Sequence, residues 1–169
     1  MSEKIFVTVG SQKFQFNRLL KAVDDLCEKN VIDKDNVFAQ IGYSDYCPKY
    51  YKFKEFLNAD EFDNNMDKCE IVISHGGTGS IIEAIKKGKK IIAVPRLARY
   101  KEHVDNHQIQ LLKKFEDSNY ICVCSDTDNL KQALDTVKKA EYKQYKSNTS
   151  VIIEDIRNYI EGPFKHEQR

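Results

Sequence analysis

Apolar positions along the chain recur with two alternating periods. Lys4–Val9 is a β-rich run that ends at Gly10. Phe16, Leu19, Leu20, Val23, Leu26 and Cys27 then follow the spacing of one helix face. Asn36–Ile41 reads as a second strand and Tyr50–Phe53 as a weaker third, with a short helix over Asp60–Cys69. Glu70–Ser74 is a strand with Gly76, Gly77 and Gly79 close behind it. Ser80–Lys87 is helical and stops at Gly88, a C-terminal cap. Lys90–Val94 is a strand closed by Pro95, Val104–Phe115 a helix, Tyr120–Cys124 a strand and Thr127–Lys139 a helix. Ser150–Ile160 predicts a last amphipathic helix before a polar tail.

Strands alternating with helices imply βαβ units and a mostly parallel sheet. The runs Ile71–Ile73 and Ile91–Val94 are continuously apolar, as strands covered on both faces should be. Right-handed crossovers place every strand-to-helix loop on one edge, where open α/β sheets bind ligands. The loops of interest are therefore Gly10–Phe14, Ser74–Ser80 and Pro95–Asn106.

A length of 169 residues predicts one domain over the whole chain. The 27 basic and 26 acidic residues leave a net charge of +1, which argues against nucleic acid as a main partner. No run is long and apolar enough to span a membrane, and Met1–Lys4 lacks the pattern of a secretory signal. The five scattered cysteines include no C-x-x-C pair and read as free thiols in a reducing cytosol. Zinc on Cys122 and Cys124 conflicts with their place inside a strand pattern.

The loop Ser74-His75-Gly76-Gly77-Thr78-Gly79-Ser80 carries most of the chemical signal. Three glycines allow close backbone approach and positive φ angles. Amides at a helix start, aided by the helix dipole and by the Thr78 and Ser80 hydroxyls, favour a diphosphate. The alternative is a tight glycine turn that binds nothing. The loop is neither a Walker A sequence nor G-x-G-x-x-G. Glu83, one turn further on, either accepts hydrogen bonds from ribose hydroxyls or is an exposed first-turn residue. The segment Glu102-His103-Val104-Asp105-Asn106-His107-Gln108 mixes donors and acceptors as a sugar site does, or simply caps a helix through Asp105 or Asn106. His103 and His107 have metal-compatible i, i+4 spacing, but Val104 stands where a zinc protease needs Glu. Gly10, Ser11 and Gln12 reach the same region from the first loop, or form an ordinary turn.

SHGGTGSIIEAI, followed by IIAVPR and EHVDNHQ and preceded by VTVGSQKFQFNRLL, resembles the donor-binding C-terminal half of family 28 glycosyltransferases. The resemblance covers roughly residues 4–125 and points first to small bacterial subunits of two-chain transferases that build capsule or exopolysaccharide. A eukaryotic subunit acting on dolichol diphosphate is a more distant likeness. It implies an α/β, Rossmann-like three-layer fold with about six strands, one half of a GT-B enzyme. It further implies that Gly76, Gly77, Thr78, Gly79 and Ser80 hold the diphosphate of a UDP-sugar and that Glu83 binds its ribose. His107 and Gln108 would face the sugar, Asp105 and Asn106 would shape that loop, and Gly10, Ser11, Gln12 and His75 would line the cleft. No metal or other cofactor is implied.

A full enzyme of this family has two such halves, and 169 residues suffice for one. The resemblance thus implies a membrane-anchored acceptor-binding partner subunit, a lipid-linked saccharide acceptor and a cytoplasmic, peripheral location. The chemistry is inverting transfer of galactose, glucose or N-acetylglucosamine, with the general base in the partner; His75, Glu102 and His103 are weaker candidates. Rival readings are a non-catalytic UDP-binding module, a UDP-sugar epimerase and a flavodoxin-like signalling domain. The last lacks its acidic cluster after the first strand.

Overall fold

The structure is a computed structural model that describes residues 3–146 and 149–161; of 149–152, 160 and 161 only the backbone is described. Six strands, β1 (Ile5–Thr8), β2 (Val37–Gln40), β3 (Lys52–Lys54), β4 (Ile71–His75), β5 (Lys90–Val94) and β6 (Cys122–Val123), form one sheet in the order β3-β2-β1-β4-β5-β6. Every neighbouring pair is parallel, with Ile5 opposite both Val37 and Ile71, and Ile71 opposite Lys90. This is a Rossmann-like sheet, and its order reverses between β1 and β4.

Alternate residues of the central strands feed two cores. Ile5, Val7, Ile71, Ile73, Ile92 and Val94 pack on one face, against the buried sides of α1 (Asn17–Glu28) and α5 (Leu130–Lys139). Phe6, Val72, Ile91 and Ala93 pack on the other, against α2 (Ala59–Lys68), α3 (Thr78–Lys86) and α4 (His107–Asp117). Burying each such large side chain contributes about 1.5–3 kcal/mol. The strand pattern was continuously apolar because both faces are covered.

Local chemistry sets the helix limits. Asn58 and Glu61 close a reciprocal capping box at the start of α2. Gly88, at φ +65°, ends α3, its amide bonding the Ile85 carbonyl at 3.0 Å as its place in the sequence suggested. Asn30 and Asn119 take the same left-handed conformation behind α1 and α4. β6 is only two residues long, and Thr127–Asn129 is a 3-10 turn ahead of α5 rather than part of it. Helix α4 starts at His107 instead of Val104, because Asp105 and Asn106 spend their side chains on loop amides.

Burial raises the thiols of Cys27, Cys69 and Cys124 to about 11, and raises that of Cys122 as well. The last helix, α6 (Thr149–Glu161), lies on its own chain. Ile156 joins the second core, and the Tyr159 hydroxyl donates to Gln110 Oε1 at 2.6 Å. Ile153 points outward, and the side chains of Val151, Ile152 and Ile160, apolar positions of the expected amphipathic helix, lie outside the described residues.

Buried Asp24 pins the 43–51 loop to α1. Its carboxylate accepts from the Tyr46 hydroxyl at 2.6 Å and from the amides of Lys49 at 2.7 Å and Tyr50 at 3.0 Å. Replacing Asp24 with Ala strands these donors and is expected to cost about 2–3 kcal/mol in urea unfolding.

Candidate functional site at the carboxyl edge

The chain leaves β1 toward α1 on one face of the sheet and leaves β4 toward α3 on the other. A crevice opens where the two paths part. Its walls are the loops beginning at Gly10 and Gly76.

His75, the last residue of β4, fills the base of this crevice and is 6% exposed. A Cβ on either Gly10 or Gly77 would overlap its imidazole ring. Gly10 is also held at φ +73°, so glycine is required there twice over. Gly76, by contrast, makes room for Gln108: a Cβ would lie 2.6 Å from Gln108 Oε1. None of Gly76, Gly77 and Gly79 has a positive φ, so the expected need for left-handed backbone is absent. Close approach is what the first two glycines provide. Gly79 faces open space.

Helix α3 starts two residues earlier than its pattern indicated, with Gly77 as N-cap and no side-chain cap. The Gly77 amide is committed to the His75 carbonyl at 2.8 Å. The free donors at the helix start are consequently those of Thr78, Gly79 and Ser80, so among the five loop residues expected to hold a diphosphate the Gly77 amide is already taken.

Arg96 follows β5 and is fully buried. Its guanidinium donates to the carbonyls of Phe14 at 2.9 Å, Gln15 at 3.3 Å and Glu102 at 3.1 Å, and to that of Val9. The Arg96 amide donates to Gln108 Oε1 at 3.0 Å, which holds Gln108 against Gly76. Glu102, 1% exposed, accepts from Arg18 Nε at 3.0 Å, Arg18 Nη2 at 2.9 Å and the Leu97 amide at 2.9 Å. Burial lowers the Arg96 pKa to about 10, opposed by Glu102, so the group stays charged at neutral pH.

The pattern of the glycosyltransferase family 28 C-terminal domain matches residues 4–161. The chain belongs to this family. The human "UDP-N-acetylglucosamine transferase subunit ALG13" is 27% identical over 127 residues, which is 72% of this chain but 11% of that protein. The chain thus spans about a tenth of this relative's length. A solution structure of ALG13 superposes with TM-score 0.63 at 19% identity, covering 92% of this chain and 94% of that one. Acinetobacter baumannii MurG superposes with TM-score 0.56 at 16% identity, covering 82% of this chain and 42% of that one. The two superpositions agree with the half-of-GT-B architecture.

In this family 28 domain the three expected loops meet. Gly10 and Gly77 pack on His75, Gly76 packs on Gln108, and the ring centroids of Phe14 and His103 lie 5.4 Å apart. Ser11 and Gln12 are exposed on the rim of the first loop. Glu83 is half-buried on α3 beside Asp63 of α2; burial first, then the Asp63 charge, raises its pKa, and Lys87 opposes them. Asp105 is the residue that both histidines of the second cluster face, with His103 Nδ1 at 3.2 Å and His107 Nε2 at 3.9 Å. The His107 amide donates to Asp105 at 3.0 Å and holds its pKa down. Asn106 Oδ1 accepts from the Ala98 amide at 3.1 Å. Glu102 is corrected from candidate base to structural anchor, since both its oxygens are occupied. Arg18, Arg96 and Gln40 were not singled out in the sequence; Gln40 ties the Gly10 carbonyl to the Leu57 amide. A charged residue directly behind an apolar strand and Pro95 was the available signal for Arg96.

Burial, and then the Arg96 charge, lower the His75 pKa to about 3, from 6.5. An unfolded chain takes up this proton near pH 6.5, whereas the fold takes it up near pH 3. The stability carried by the neutral ring is therefore complete above pH 6.5 and declines as pH falls toward 3. NMR titration should find the His75 ring unchanged from pH 5 to 8. The acid limb of unfolding stability should flatten in His75→Asn by up to about 1.4 kcal/mol per pH unit.

Proposed function

We propose that this chain is the donor-binding subunit of a two-component inverting glycosyltransferase, taking a hexose from a UDP-sugar to a lipid-linked saccharide. The observation that carries this reading is the uncapped start of α3 at the strand-order reversal, beside a buried His75 whose Nδ1 has no partner. An orphaned ring nitrogen and three free amides are groups for a bound anion to satisfy. The name carried by the human relative favours N-acetylglucosamine over galactose or glucose.

In this reading the acceptor hydroxyl attacks the anomeric carbon as its bond to the β-phosphate oxygen breaks. Negative charge grows on the departing UDP. The amides of Thr78, Gly79 and Ser80 meet it, each such fixed donor lowering the barrier by about 3 kcal/mol. Fixed donors and the helix dipole supply the positive field, so a divalent metal is not required. Glu83 takes the ribose hydroxyls. His107 and the free amide nitrogen of Gln108 face the sugar, while Asp105 and Asn106 hold that loop in shape. Gly10, Ser11 and Gln12 close the crevice from the first loop.

The acceptor proton goes to a base on a membrane-anchored partner subunit. Glu102 has no free oxygen, and His75 is buried, which leaves His103 as the weak candidate in this chain. No helix among the described residues is long and apolar enough to cross a membrane. The partner accordingly provides the attachment in this reading.

Titration calorimetry with UDP, its three sugar conjugates and uridine is the direct test. UDP is expected to bind, and Glu83→Ala to weaken it by about 1.5–3 kcal/mol. Heats indistinguishable from buffer for every nucleotide would sink the reading. Transfer is expected only from the co-expressed pair and should persist in excess EDTA; loss on chelation would return a metal to the mechanism.

A further inference from the structure

The Arg18–Glu102–Arg96 assembly holds two cations and one anion. Glu102 spends its carboxylate on Arg18 and the Leu97 amide. Among the described residues the Arg96 guanidinium donates hydrogen bonds to carbonyl oxygens alone, those of Val9, Phe14, Gln15 and Glu102; it lies over the Phe16 ring at 5.2 Å, and its Nε has no hydrogen-bond partner. Among the described residues no carboxylate bonds this guanidinium, and Arg96 and Glu102 are within 1% of complete burial. Burying a net charge is costly unless something repays it. The group lies directly under the crevice: it holds the carbonyl of Val9, the residue before Gly10, and its amide holds Gln108 against Gly76.

We propose that this assembly supplies a net positive charge behind the diphosphate of the bound donor, with Arg96 as the positioning residue that carries it. The inference rests on the UDP-sugar reading above and deepens it. A bound diphosphate completes the charge balance that Glu102 leaves unfinished. The carbonyl bonds fix the guanidinium in place, so it cannot swing out to pair elsewhere. A purely structural clasp would serve a neutral ligand equally well; a charge behind the phosphates serves only an anion.

That difference makes the ratio of UDP to uridine affinity the readout. At an effective dielectric near 20, one unit charge within about 10 Å of a diphosphate changes its affinity roughly tenfold or more. Arg96→Met is expected to lower UDP affinity by that factor while uridine affinity changes little, and Arg96→Lys, which keeps the charge, to preserve most of the ratio. Arg18 lies partly exposed at the start of α1, so its variants tolerate the change if those of Arg96 do not fold. Arg18→Gln alone cancels the net charge and should lower the ratio about tenfold. Arg18→Gln combined with Glu102→Gln restores the net charge and should return the ratio to within about threefold of wild type. Equal losses for UDP and uridine in Arg18→Gln, or no recovery in the double variant, would overturn the charge role while leaving donor binding intact. A wild-type chain that binds no UDP would remove the underlying reading as well.

Discussion

A buried guanidinium holds the carboxyl edge of this sheet together. Loops that leave parallel strands carry carbonyls with no ladder partner, and those close to the core must be satisfied without water. Arg96 answers for four of them at once, three on the loop behind β1 and one on the loop behind β5. Its own amide then sets Gln108 against Gly76, and Glu102 carries the brace on to Arg18 at the start of α1. Three chain segments distant in sequence are thereby held in one geometry.

The crevice beside this clasp is built by subtraction. Gly10 and Gly77 vacate the volume that the His75 ring occupies, and Gly76 vacates that of Gln108. The ring is kept neutral by burial and by the neighbouring guanidinium, so protonation does not compete with its packing. What remains open is the first turn of α3, whose amides have no cap. The positive end of a helix dipole, uncapped and beside a buried cation, is an environment suited to an anion.

The family 28 domain matches 4–161, and MurG superposes on this chain with less than half of its own length. Glu102, which has the chemistry of a base, is tied up in structure by Arg18 and the Leu97 amide.

Much of this was legible in the residues themselves. Alternating periods and doubly apolar strands gave the layered parallel sheet, because a strand covered on both faces must be apolar throughout. Gly88 marked its helix end, because few other residues accept a positive φ. The glycine loop, Glu83 and the Asp105–Gln108 segment stood out by type and spacing. Tertiary structure alone decided the rest. Only the parallel register brings Arg96 under Gly10, 86 positions away, and only burial turns Glu102 from an acid–base group into an anchor. Which glycines serve φ and which serve contact depends on His75 and Gln108, side chains from other segments. Local order follows from residue preference and period; a site follows from what long-range packing excludes from water, which no single segment specifies.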